Sequence, residues 1–166
     1  MKSSPILLAL LLTFVVTLRA VAADPKPAPD ISLITADGRT VQLSDFAGRV
    51  VLLDFWASWC APCKTSFPAL DKLFRENEAR GFTVFAVNLD KKRSNADEFL
   101  TANPHAMTIV FDPDGKVSKA FRIFGLPSSV LIDRSGNIRF THLGYNAKVV
   151  ERYVREINTL LAEPAK

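Results

Sequence analysis

Hydrophobic positions along the chain pass from unbroken runs to alternation to helical spacing, and each change of period marks an element. The first is an apolar run from Ile6 to Leu18, set between Lys2 and the small residues Ala20-Val21-Ala22-Ala23. It stops at Arg19 after 13 residues, short of the roughly 20 that span a bilayer. A basic start, a short apolar centre and a small-residue end describe a signal peptide over residues 1–23, cut after Ala22 or Ala23. The mature chain is therefore expected in the periplasm or another extracytoplasmic space, touching membrane only through that leader. Asp24 to Asp30 has three prolines in seven residues, a composition suited to an extended linker. Residues 31–166 are expected to form one domain.

Within that domain, Ile31-Ser32-Leu33 and Val41-Gln42-Leu43 alternate around Asp37-Gly38, which predicts a short hairpin. Val50 to Phe55 is almost continuously apolar, as in a central strand covered on both faces, with Asp54 its one charge. Phe67, Leu70, Leu73 and Phe74 then recur at helical spacing before Gly81, with Pro68 bending the helix, and Phe82 to Val87 is the next strand. Strand, helix, strand makes a βαβ unit. Ser94 with Asp97 opens a shorter helix whose apolar side is Phe99 and Leu100, and Thr108 to Phe111 reads as a strand. Asp112-Pro113-Asp114-Gly115 is a turn, Val117 to Phe124 a helix, and Ser129 to Ile132 a strand. Ile138 to His142 pairs with that strand across Ser135-Gly136. Val149, Val150, Tyr153, Val154, Ile157, Leu160 and Leu161 form the stripe of a last helix. The fold class is α/β.

Composition and charge refine this only slightly. Apolar residues make up 48% of the chain, enough for one core at this length. The formal charge is +4, but taking Lys2 and Arg19 from the 21 basic residues leaves 19 against 17 acidic ones. Basic and acidic residues are interleaved and no basic stripe with spaced aromatics occurs, so a nucleic-acid partner is not expected.

Chemistry concentrates at Cys60 and Cys63, the only cysteines of the chain. A bond between them closes so small a ring that it adds little stability by loop entropy, so a reactive pair outranks a staple. The motif follows a strand and opens a helix, where unpaired N–H groups and the helix dipole favour a thiolate at Cys60. Cys63, one turn on and more buried, is placed to attack Cys60 and release a mixed disulfide. A zinc site needs four ligands, and only His105 and His142 stand beside the pair. Copper(I) on the two thiols with one His is the stronger metal rival, since soft sulfur suits it. Asp54 interrupts an apolar strand, where a charge is costly, so a raised pKa and a proton-transfer role near Cys63 are expected.

The stretch Asp54-Phe55-Trp56-Ala57-Ser58-Trp59-Cys60-Ala61-Pro62-Cys63-Lys64 resembles the active-site signature of thioredoxins and of their exported TlpA/ResA/DsbE-like relatives. The resemblance spans roughly residues 30–161. It implies the thioredoxin fold, a central mixed sheet flanked by helices. The leading hairpin and the long stretch from Asn88 to Phe111 resemble the TlpA-like branch and its central insertion. Pro68 falls where thioredoxins carry their helix-kinking proline, and Gly125-Leu126-Pro127 resembles the loop whose cis-proline faces the dithiol. Through the same resemblance, Leu126 offers its backbone to a client strand, Gly144 lines the groove, and Trp59, Ala61 and Pro62 join it as substrate-binding positions. Asp54 matches the buried Asp of thioredoxins. Two departures bear on it: the Lys that neighbours that Asp is Ala86 here, and the Glu that TlpA-like reductases carry after the second Cys is Ser66.

The implied activity is reduction of protein disulfides or exchange with protein thiols, without organic cofactor or metal. A membrane thiol-relay protein is the implied electron donor, and apocytochromes c are among the implied clients. A net oxidant is the alternative direction, although Pro62 stands where strongly oxidising relatives carry His. A copper- or apoprotein-binding module is the alternative of another class. A peroxidase is disfavoured because Ala57 occupies the position of the Thr that peroxiredoxin-like sites need.

Overall fold

The computed structural model describes residues 26–164, so the expected signal peptide lies outside the described residues. A six-stranded mixed sheet runs β1 (Lys26–Pro27), β8 (Asn137–Leu143), β7 (Ser128–Ile132), β4 (Val50–Trp56), β5 (Phe82–Asn88), β6 (Thr108–Phe111) in spatial order, and β2 (Ser32–Ile34) with β3 (Thr40–Gln42) forms a separate hairpin. Among the described residues, no helix is long and apolar enough to cross a membrane.

Strands β4 and β5 are buried at every residue and pair in parallel, which is why both read as apolar runs instead of alternating ones. The connection between them is α1 (Ala61–Asn77), whose Phe67, Leu70, Leu73 and Phe74 face the sheet as expected. Its buried Asp71 accepts the backbone N–H groups of Ala106 and Met107 at 2.6 and 3.2 Å, tying α1 to the segment before β6. Between β5 and β6 lies α2 (Arg93–Ala102), so the central insertion supplies a covering helix and an edge strand. The hairpin docks on that edge: Thr35 bridges Val110, and the Ala36 N–H donates to the Ile109 carbonyl at 2.9 Å.

Beyond β4 the sheet turns antiparallel through β7 and β8. The last helix, α4 (Ala147–Ala162), is capped by Asn146, whose side chain accepts the Val149 N–H, and it buries Val149, Tyr153, Ile157, Leu160 and Leu161. Val154, on the expected stripe, is instead 42% exposed at the rim.

Two expectations need correction. The helix expected over Val117 to Phe124 is α3 (Lys116–Ala120), five residues long. Arg122 takes a left-handed conformation at φ 55°, and the Ile123 N–H bonds back to the Ser118 carbonyl at 2.9 Å. That closure ends a helix, and it leaves Phe124 95% exposed. In the expected linker, Lys26 and Pro27 pair with Ile138 and Asn137 and so add a short edge to the main sheet. An edge is where a strand tolerates proline.

Candidate active site

Residues of β4 divide between the two faces of the sheet. Val50, Leu52 and Trp56 join the core cluster closed by α1 and α4, while Val51, Leu53 and Phe55 join the cluster beneath the hairpin and α3. Asp54 shares the first face by alternation. The dithiol caps that side: Cys60 is the N-cap of α1, followed by Ala61, Pro62 and Cys63 in its first turn. The two sulfurs form a disulfide with Cα atoms 5.3 Å apart. Cys60 is 5% exposed and Cys63 1%, and Ala61, Pro62 and Lys64 around them are exposed.

The loop entering α1 is held by a carboxylate that sequence reasoning missed. Asp90, just past β5, accepts the Ser58 N–H and the Ser58 hydroxyl, both at 2.9 Å, and the Asn88 side-chain amide at 2.7 Å. Its own N–H donates to the Asn88 side-chain oxygen at 3.0 Å. The only available signal was a polar pair, Asn88 and Asp90, ending an apolar strand. Trp56 is packed between Phe67 and Phe99, with ring centroids 5.2 and 5.1 Å away, whereas Trp59 is 69% exposed. The first Trp is core and the second is surface.

Across the sheet, Phe55 pairs with Ser128, so Pro127 lies beside the end of β4 that leads to the dithiol. The Leu126–Pro127 bond is cis, as the resemblance implied. The Gly144 N–H donates to the Pro127 carbonyl at 2.8 Å, and Gly144 sits at φ 78°, a region that favours glycine. Leu126 is half-buried and packs on the cluster that contains both cysteines. Ala61, Pro62, Leu126, Pro127 and Gly144 therefore cluster around one end of the sheet with the disulfide.

Asp54 is 1% exposed and lies opposite Ala86 on β5 and Ser129 on β7. Burial raises its pKa to about 7; no cation stands on β5 to oppose that, since the neighbour is Ala86. Ser66, where TlpA-like reductases carry Glu, is buried, and its hydroxyl is engaged by the Cys63 carbonyl at 3.0 Å. Asp54 is thus a buried carboxyl on the face of β4 that the dithiol caps, with its pKa raised into the neutral range by burial.

Neither histidine joins the cysteines. His105 Nδ1 meets the Asn103 carbonyl at 3.0 Å, and His142 Nε2 meets the Glu156 carboxylate at 2.7 Å. Among the described residues, no three His, Cys, Asp or Glu side chains converge to hold a metal ion.

A mixed sheet with this strand order, a CxxC disulfide at the start of α1 and a cis-proline beside it define a thioredoxin-fold protein of thiol-disulfide chemistry. The chain belongs to the Redoxin family, whose model matches residues 23–161. It is 30% identical over 142 residues to the thiol-disulfide oxidoreductase ResA of Geobacillus kaustophilus, covering 85% of this chain and 82% of the relative. A Chlorobium tepidum protein provisionally assigned as a thiol:disulfide interchange protein DsbE superposes with a TM-score of 0.79 at 41% identity, over 83% of this chain and 97% of that one. StoA of Bacillus subtilis superposes with a TM-score of 0.65 at 25% identity, over 78% and 99%. The chain is a thiol-disulfide oxidoreductase of the TlpA/ResA/DsbE-like branch of the thioredoxin superfamily, acting on protein thiols and disulfides.

Proposed function

We propose that this protein reduces disulfides of exported proteins in an extracytoplasmic compartment, with Cys60 as attacking thiol and Cys63 as resolving thiol. The observation that carries the assignment is the asymmetry of the pair: Cys60, 5% exposed, caps the α1 N-terminus, while Cys63, 1% exposed, lies deeper within the first turn. A helix N-terminus stabilises the Cys60 thiolate. That thiolate attacks one sulfur of a client disulfide; the client S–S bond breaks, and one client thiolate leaves. Cys63 then gives its proton to Asp54 and attacks Cys60. The mixed disulfide breaks, the second client thiolate leaves, and the Cys60–Cys63 disulfide remains. The client gains two electrons, and the dithiol loses them.

Groups around the dithiol have matching roles. A proline at position 127 presents no N–H to the thiolate, while the Leu126 backbone can pair with an extended client segment as a sheet edge does. Gly144 and the exposed Trp59, Ala61 and Pro62 flank that segment. Regeneration requires a dithiol donor, for which a membrane thiol-relay protein is the source the family resemblance supplies, and apocytochromes c awaiting haem are the clients it supplies. The reduction potential of the Cys60–Cys63 couple, measured against glutathione or dithiothreitol buffers, tests the direction. A value near or below about −240 mV is expected; one above about −160 mV overturns the reductase reading and makes the protein a disulfide donor.

A further inference from the structure

The turn that ends α3 also directs a large apolar side chain outward. Arg122 holds φ 55°, a region costly for residues other than glycine, and the Ile123 N–H closes on the Ser118 carbonyl. Ile123 thereby packs on the core cluster beneath the hairpin and α3, and Phe124 is left in solvent. Phe124, 95% exposed, and Leu143, 74% exposed at the end of β8, are the two most exposed large hydrophobic side chains among the described residues. They flank Gly125: a Cβ added there would stand 3.1 Å from Leu143 Cδ1, so Leu143 lies against that glycine, the neighbour of Phe124 in the chain. Leu143 also pairs with Ser128, whose hydroxyl donates to the Gly125 carbonyl at 2.7 Å. Both apolar side chains therefore border the segment that carries Leu126 and the cis-proline.

A groove of about 520 Å³ opens beside them. Its floor is Ser128 and Val130 of β7 with Thr141 and Leu143 of β8, and its wall is Phe121 and Phe124. It follows β8 from Leu143 back to Ile138, five strand steps or about 17 Å, which accommodates about five residues of an extended chain. Arg122 and Lys26 stand on this groove and no carboxylate does. Among the described residues, Arg122 has no ion-pair partner. A single exposed apolar residue needs no explanation, but two side by side on a groove that opens from the reactive loop mark a binding surface.

We propose that this groove binds the client chain beyond its disulfide, seating a bulky apolar side chain between Phe124 and Leu143 and a carboxylate at Arg122. The chain acts on protein thiols and disulfides, and the groove continues from the loop on which the client lies. Its charge is of one sign, which selects an acidic neighbour for the apolar residue. Phe124 is two residues from Leu126, so the client residue seated there is about two to four positions from the attacked cysteine. The proposal rests on the placement of the client at Leu126 given above.

Two peptides, each closed by an internal disulfide, test it. One carries Leu and Asp about three residues outside each cysteine, and the other carries Ser and Lys there. The reduced protein is expected to reduce the first with a kcat/KM about tenfold higher, the scale on which an apolar pocket discriminates. Phe124→Ser is expected to erase most of that advantage, and Arg122→Glu to favour a Leu-Lys peptide over the Leu-Asp one. Both variants are expected to reduce a small aromatic disulfide at the unmodified rate. Equal rates for the two peptides in the unmodified protein overturn the groove, as does a Phe124→Ser loss shared by the aromatic disulfide or an unchanged charge preference in Arg122→Glu. A dimer in solution that Phe124→Ser dissociates also overturns it, by placing a second copy there. If the reduced protein leaves both peptides oxidised, while its disulfide form oxidises their dithiols with the same preference, the reductase direction falls and the groove stands.

Discussion

Two aspartates flank the dithiol loop, equally hidden from solvent and held in opposite ways. Asp90 is 2% exposed and takes two hydrogen bonds from Ser58 and one from Asn88. Asp54 is 1% exposed, and burial is the one influence that moves its pKa, up to about 7. A buried carboxylate supplied with donors is an anchor, since its charge is satisfied and its removal orphans its partners. One without them becomes a group that exchanges a proton near neutral pH. The same side chain thus fixes the loop on one side and, in the proposed mechanism, serves the chemistry on the other.

Removing the Asp54 carboxylate breaks this comparison most sharply. Asp54→Asn is expected to slow Cys63 resolution about 100-fold, in the range of general acid-base contributions, while Cys60 attack persists; stopped-flow release of an aromatic thiol measures both. Its stability signature has a definite sign. The folded carboxyl titrates at about 7 and the unfolded one near 3.8, so between those values the folded chain binds the extra proton. Stability then falls as pH rises from 4 to 7 and levels off above, by on the order of 4 kcal/mol at about 1.36 kcal/mol per pH unit. Denaturant unfolding of the oxidised protein at pH 4.5 and pH 8 is expected to show that fall, and Asp54→Asn to remove it.

Asp90→Ala probes the opposite case. It leaves the Ser58 N–H and the Asn88 amide without their partner and is expected to cost about 2–3 kcal/mol, read as a lower melting temperature. Gly144→Ala is smaller. Nothing lies within 4 Å of an added Cβ, so the penalty comes from φ 78° alone, about 1 kcal/mol. Smallest in stability is Trp59→Ala, expected within about 0.5 kcal/mol because the ring is exposed. Its effect should appear as a raised KM for protein disulfides with small disulfides unaffected.

How much of this was legible in the sequence depends on whether a feature is local. Strands β4 and β5 and the buried stripe of α1 follow from apolar runs and helical spacing, and Cys60 with Cys63 from their position between them. Asp54 was legible because a charge in such a run demands a reason. The end of α3 was not, because it depends on Arg122 taking a positive φ, which nothing in an apolar pattern announces. Strand β1 is two residues whose pairing with Asn137 and Ile138 is purely tertiary. Asp90 reaches Ser58 across 32 positions, and His142 comes into line with Ser129 and Asp54 only through the register of three strands. As a sequence feature it is one polar residue in a strand.

The division of labour within the dithiol is most directly tested by trapping. The Cys63→Ser variant, reduced and mixed with a disulfide-bonded protein, is expected to accumulate a one-to-one covalent complex through Cys60 that dithiothreitol reverses, and Cys60→Ser to accumulate none. A complex that forms equally well through Cys63 in the Cys60→Ser variant, or in neither variant, would contradict the account.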